Sequence, residues 1–240
     1  MADGPVIVIG GPGSWPAGYR GLAATLSALS ARKVHVVPLT PLDWGLGKLR
    51  GYGQMVFEVA STVDGALLES EDDRAILVGH SAGGILARIF IGGDPPYGGR
   101  RYSGHRRISH LITLGAPHNN AVAARSNPTS RVNELFPGAL HEHIRYVSVA
   151  GAAADGAGSP RARKRYERFV PDGRVRGDGL VPVPSALLPG AEELVLDDLY
   201  HGRLYTGFGG RWYGSDRATV ERWWPEDLRV KGRVVQKPGA

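Results

Sequence analysis

The sequence predicts an α/β fold: a mostly parallel, doubly wound sheet with helices on both faces. Three observations carry that expectation. Short runs of β-branched and other apolar residues alternate with stretches of helical period. The runs are apolar throughout, as strands covered on both faces are. No internal repeat, heptad or low-complexity tract competes with the alternation.

Val6-Ile7-Val8-Ile9 reads as a buried strand closed by Gly10-Gly11-Pro12-Gly13, a sharp loop. From Tyr19, Leu22, Leu26 and Leu29 recur at helical spacing before Val34 to Val37 gives a second strand. Gly51 to Ser70 is helical in period through Val56, Val59, Val63 and Leu67. Ala75 to Val78 is a strand bounded by Gly79, and Gly83 to Ile91 is the helix after it. Ile108 to Leu114, Ile144 to Val149 and Glu192 to Leu196 are further strands. Ser215 to Trp224 is a closing helix with Ser215 as its N-cap. Three stretches, Gly92 to Arg107, His118 to His143 and Gly151 to Gly179, break the pattern and are expected to be loop excursions over the catalytic edge. Residues 1–240 are expected to form one domain, with 228–240 a loose tail.

Composition narrows the chemistry. With 42% hydrophobic and 22% charged residues among 240, the chain is too apolar for disorder. It has no run near the ~20 apolar residues of a spanning helix. It contains no cysteine, which excludes disulfides, thiolate nucleophiles, cysteine-held zinc and iron–sulfur clusters. Covalent catalysis must then use oxygen or nitrogen, and no metal or cofactor is expected. Met1 to Pro5 runs straight into Val6, leaving no visible room for a signal peptide, so a cytoplasmic location is expected.

Gly79-His80-Ser81-Ala82-Gly83 matches G-x-S-x-G between a strand and a helix, the context in which that motif holds a nucleophilic serine at a turn too tight for side chains two residues to either side. Ser81 is the expected nucleophile. It needs a histidine base and a carboxylate to hold that histidine, in the chain order Ser, acid, His. Of the histidines after Ser81, only His201 follows the last strand in a loop. Between the strand Ile144 to Val149 and that last strand lie Asp155, Glu167, Asp172 and Asp178. Asp178, in Gly177-Asp178-Gly179 where an apolar run returns the chain to the core, is favoured, with Asp155 as runner-up. An oxyanion would be held by the N–H of Ala82 and one from the early glycine loop; Pro12 has none, leaving Gly11, the preferred donor, or Gly13.

The elbow, Thr113-Leu114-Gly115-Ala116-Pro117-His118, Gly177-Asp178-Gly179-Leu180-Val181-Pro182 and Tyr200-His201 together resemble the α/β-hydrolase lipases. Leu86-Ala87-Arg88-Ile89 and Pro96-Tyr97-Gly98-Gly99-Arg100 look most like the lipase-like hydrolases of cyanobacteria and plastids, distantly akin to the GPI inositol-deacylases. The resemblance runs from Val6 to about Trp224. It implies the α/β-hydrolase fold, an acyl-ester hydrolase, and Ser81, Asp178 and His201 as its triad. One departure is Ile9-Gly10 where such lipases often carry His-Gly; Gly10-Gly11-Pro12-Gly13 is closer to the loop of proline iminopeptidases without its histidine.

A peptidase or amidase on the same triad is therefore an alternative. Another is a non-catalytic binder of anionic lipid or nucleic acid, suggested by the net charge of +6. RNA-binding modules carry aromatic-rich strands that this chain lacks, so nucleic acid is not expected as a partner. The charge is uneven: Arg100, Arg101, Arg106 and Arg107 fall in one excursion, and Arg161, Arg163, Lys164, Arg165, Arg168, Arg174 and Arg176 in another. That pattern suggests a face able to meet an anionic membrane. Trp15, Tyr97, Tyr102 and Phe136 are candidates to line an acyl site.

Overall fold

The computed structural model describes residues 4–120, 128–202 and 210–230. In chain order the strands are β1 (Val6–Ile9), β2 (Val34–Val36), β3 (Ala75–His80), β4 (Ile108–Leu114), β5 (Arg145–Gly151), β6 (Ala154–Asp155), β7 (Arg176–Gly177), β8 (Glu192–Leu196), β9 (Leu199–Tyr200) and β10 (Arg211–Trp212). The helices are α1 (Arg20–Ser30), α2 (Pro41–Arg50), α3 (Gly53–Leu68), α4 (Gly83–Gly92), α5 (Pro128–Leu135), α6 (Pro160–Tyr166), α7 (Val183–Ala186) and α8 (Arg217–Glu221).

Six strands form one parallel sheet in the order β2-β1-β3-β4-β5-β8. Side chains alternate across a strand, so each apolar run feeds two cores. Ile7, Ile9, Leu77 and Leu111 pack with Val56, Val59, Leu86 and Phe90 from α3 and α4. Val6, Val8, Ile76, Val78, Ile112 and Leu114 face the other way, onto Leu22 and Leu26 of α1, Val220 of α8 and Trp223. The chain leaves β1 toward one end of the sheet and β3 toward the other. The crevice between their carboxyl ends is the switch point at which such sheets place their ligands.

Four expectations are corrected. α2 was not anticipated: Gly45 and Gly47 weaken its helical signal, yet Pro41 opens it, a Thr40–Asp43 capping box closes its first turn, and Trp44 is buried beneath it. The excursions carry structure of their own, α5 in the second and α6 in the third. Arg88, buried in α4, fastens the second by donating to Asn133 Oδ1 at 2.7 Å and to the Phe136 carbonyl at 2.6 Å. The closing helix starts at Arg217, because the Asp216 carboxylate, not Ser215, caps it by accepting from the Thr219 N–H at 2.8 Å. Finally, 228–230 are not loose. Leu228 is buried, the Arg229 guanidinium donates to the carbonyls of Glu221 and Trp224, and the Val230 N–H reaches the Leu29 carbonyl at 2.9 Å. Residues 231–240 lie outside the described residues.

Candidate active site

Ser81 stands at the end of β3 with φ 55°, left-handed backbone that a non-glycine residue enters at a cost of about 1–2 kcal/mol. Its N–H continues the sheet to the Leu114 carbonyl at 2.9 Å, which holds the turn in place. The flanking glycines are required by space. A Cβ on Gly79 would stand 2.6 Å from the Gly84 Cα, and one on Gly83 2.2 Å from the Ile9 carbonyl oxygen. α4 therefore starts against the floor of the β1 loop, and the serine is forced out at the switch point.

His201 and Asp178 meet there from separate segments. Asp178 follows β7 and His201 follows β9, and their backbones are joined by the His201 N–H to the Asp178 carbonyl at 2.8 Å. His201 Nδ1 lies 2.7 Å from Asp178 Oδ2, both side chains buried. A carboxylate only accepts, so Nδ1 carries a proton toward Asp178, the arrangement that in a neutral imidazole puts the lone pair on Nε2. Asp178 is fully engaged: Oδ1 accepts from the N–H groups of Leu180 at 3.0 Å and Val181 at 2.7 Å, and Oδ2 also accepts from the Tyr213 hydroxyl at 2.9 Å. The ring of His80, the residue before Ser81, lies 4.8 Å from that of His201. His80 Nε2 also lies 2.9 Å from the His201 carbonyl oxygen.

Gly11 abuts the serine closely enough that a Cβ on it would stand 2.6 Å from the Ser81 Cβ. Gly11 to Ser14 is a tight turn, with Pro12 second, Gly13 at φ 76°, and the Ser14 N–H on the Gly11 carbonyl at 3.3 Å. The Gly11 N–H, expected from sequence as an oxyanion donor, is directed instead at the Tyr19 hydroxyl, 3.1 Å away. Ala82 is at the N-cap of α4, where backbone donors lack helical acceptors.

Asp155 is exposed, and its carboxylate serves the Ala157 N–H at 2.8 Å. Of the expected aromatics, Phe136 is core, packed against Gly92; Tyr102 donates to the Gly53 carbonyl at 2.8 Å; Trp15 alone is fully presented, 61% exposed. Tyr213, Tyr19 and His80 were not anticipated as parts of the site. Only His80, beside the serine in the motif, offered a signal. Among the described residues no group of three or more His, Asp or Glu side chains is disposed to hold a metal ion.

Residues 58–158, which hold β3, the elbow, α4, β4 and β5, match the family described as the PGAP1-like alpha/beta domain. The crystal structure of a Listeria innocua gene product superimposes with a TM-score of 0.52 over 91% of each chain, at 14% identity. The protein has the α/β-hydrolase fold. Two further crystal structures align over shorter stretches. A pyrethroid hydrolase from Sphingobium faniae is 22% identical over 50% of this chain and 42% of its own, with a TM-score of 0.34. Polyneuridine aldehyde esterase is 19% identical over 56% and 48%, with a TM-score of 0.37. The chain thus spans less than half the length of either enzyme. No curated protein shows significant sequence similarity to it.

Proposed function

We propose that the protein is a serine hydrolase of carboxylic esters, with lipid esters as its substrate class. The observation that carries the reading is the 2.7 Å contact between His201 Nδ1 and Asp178, beside a serine held in left-handed backbone. In the proposed cycle His201 Nε2 takes the Ser81 hydroxyl proton as Oγ attacks the ester carbonyl carbon. The tetrahedral intermediate collapses, the acyl C–O bond breaks, and His201 returns the proton to the leaving alkoxide as alcohol. Water, deprotonated by His201, then attacks the acyl-enzyme and releases the carboxylic acid and Ser81. Ala82 N–H is the oxyanion donor; Gly11 contributes the open space beside Ser81 that no other residue type leaves.

Labelling with a serine-directed fluorophosphonate tests the assignment. The native chain should label and Ser81→Ala should not; equal labelling of both overturns it. Turnover of acyl esters against N-terminal-proline amides separates the esterase from the amidase suggested by the Gly-Pro-Gly loop.

We also propose that the catalytic edge meets an anionic lipid surface. Trp15, in the segment after β1, and Leu42 and Leu49 of α2, the helix that follows β2, are 61%, 70% and 84% exposed. Lys164, Arg168 and Arg174 are exposed around α6. Arg163, Arg165 and Arg176 donate to backbone carbonyls there and brace the excursion. Vesicle binding should rise with anionic lipid content and fall in Leu49→Asp. Binding indifferent to lipid charge, or DNA affinity retained at about 200 mM salt, would return the charge to another role.

A further inference from the structure

His80 occupies the x position of the elbow, and its ring is buried at the end of β3, beneath the site. Its two ring nitrogens face unlike partners. Nε2 lies 2.9 Å from the His201 carbonyl oxygen, which can only accept, so Nε2 carries the proton. Nδ1 is then a lone pair, and the Tyr19 hydroxyl 2.7 Å away must donate to it. Having given its proton, that hydroxyl accepts the Gly11 N–H at 3.1 Å. The direction of every proton follows from the two ends: Gly11 N–H to Tyr19 Oη, Tyr19 O–H to His80 Nδ1, His80 Nε2–H to the His201 carbonyl.

We propose that His80, relayed by Tyr19, is a positioning residue that ties the backbone of the proposed base, His201, to the glycine loop facing Ser81. The inference rests on the hydrolase reading above and adds a role that the triad does not contain. The relay spans the switch point, joining the backbone of the loop after β1 and of the loop after β9 through the side chains of Tyr19 and His80. It works only while His80 is neutral, because an imidazolium has no lone pair for Tyr19 and would set a second cation 4.8 Å from the ring that must become one during the reaction. Burial, reinforced by His201, pushes the His80 imidazole down to about 3, and burial keeps the Tyr19 hydroxyl protonated by raising it.

The test uses a substitution series read in kcat, KM and the nitrogen spectrum of His80. His80→Leu removes donor and acceptor together and should lower kcat on a soluble ester about 100-fold with KM little changed, the cost of a small misplacement of the base. His80→Gln, which can offer an N–H to His201 and an oxygen to a rotated Tyr19 hydroxyl, should recover most of it. Tyr19→Phe should fall with His80→Leu, and the double variant should be no worse than the worse single one, since both break one relay. In the native protein the ¹⁵N signals should show His80 protonated on Nε2 from pH 8 to pH 4; in Tyr19→Phe the proton should stay on Nε2, facing the His201 carbonyl, while the Nδ1 signal shifts on losing its donor. A native His80 protonated on Nδ1, additive losses, or undiminished kcat in His80→Leu would overturn the proposal. The tautomer readout needs no turnover, so it separates this failure from the failure of the hydrolase reading, which the Ser81→Ala labelling decides. Should His80→Leu fail to fold, Tyr19→Phe alone still reports through both kcat and the spectrum.

Discussion

Tyr213 gives its hydroxyl proton to Asp178 Oδ2, the same oxygen that holds the His201 Nδ1–H, at 2.9 and 2.7 Å respectively. The same hydroxyl accepts the Gly151 N–H at 2.8 Å, so the carboxylate is referenced to the end of β5, the sheet strand before it in the chain. Burial, and then the Asp178 carboxylate, push the Tyr213 hydroxyl well above its ordinary range, which keeps it a donor at any working pH.

Tyr213→Phe should therefore cost both stability and rate. It leaves a buried Gly151 N–H without its acceptor, worth about 1–3 kcal/mol in urea unfolding. It also removes one of two donors on Asp178 Oδ2, which should lower kcat about tenfold, equivalent to ~1.4 kcal/mol. Rates are to be normalised to fluorophosphonate-titrated sites. A stability loss with native turnover per site would make the contact structural only.

Asp178→Asn should lose on the order of 10⁴ in kcat, because an amide facing Nδ1 favours the wrong imidazole tautomer. Asp155→Asn should stay near native, since that carboxylate is exposed and serves only a local turn. Steady-state turnover of both variants on one ester decides between them; the reverse outcome would move the acid to Asp155.

The elbow glycines should be irreplaceable while an ordinary helical glycine is not. Gly83→Ala sets a Cβ 2.2 Å from a backbone oxygen that cannot retreat without disturbing β1, so the variant should unfold at much lower urea or not accumulate. Gly65, exposed within α3, has nothing within 4 Å of its missing Cβ. Gly65→Ala should stabilise by about 0.5–1 kcal/mol through helix propensity. Equal midpoints for the two variants would mean that the close packing around the elbow is not real.

What could be read from sequence follows from how local each signal is. The sheet strands announced themselves because a strand covered on both faces must be apolar along its whole length, and Ser81 because its turn excludes side chains at two fixed offsets. The pairing of Asp178 with His201 was legible from chain order and from their position after strands. α2 was obscured because its apolar stripe, Leu42 and Leu49 included, faces outward and two glycines interrupt it. Tyr213 and Tyr19 had no local mark. Each matters through one hydroxyl that meets its partner 35 or 61 residues away in sequence, a relation that only the folded chain creates.

The pH dependence of stability gives the last prediction. His80 is held neutral, its folded value about 3 against 6.5 for an ordinary histidine, so below pH 6.5 the unfolded chain binds a proton that the folded chain refuses. The stability this histidine confers is complete above pH 6.5 and is lost as pH falls toward 3. By pH 4.5 the loss is about 2–3 kcal/mol, two of those units at ~1.4 kcal/mol each. His118, buried beside the Arg88 guanidinium, is also held well below its ordinary value, first by burial and then by that cation, and adds a loss of the same sign. Urea midpoints at pH 7.5 and 4.5 should fall apart in the native protein. His80→Gln cannot titrate, so it should lose about 2–3 kcal/mol less over the same interval while still losing the part owed to His118 and to the carboxylates. An identical loss in both proteins would mean that His80 takes up its proton in the folded state, and a charged ring could not accept from Tyr19.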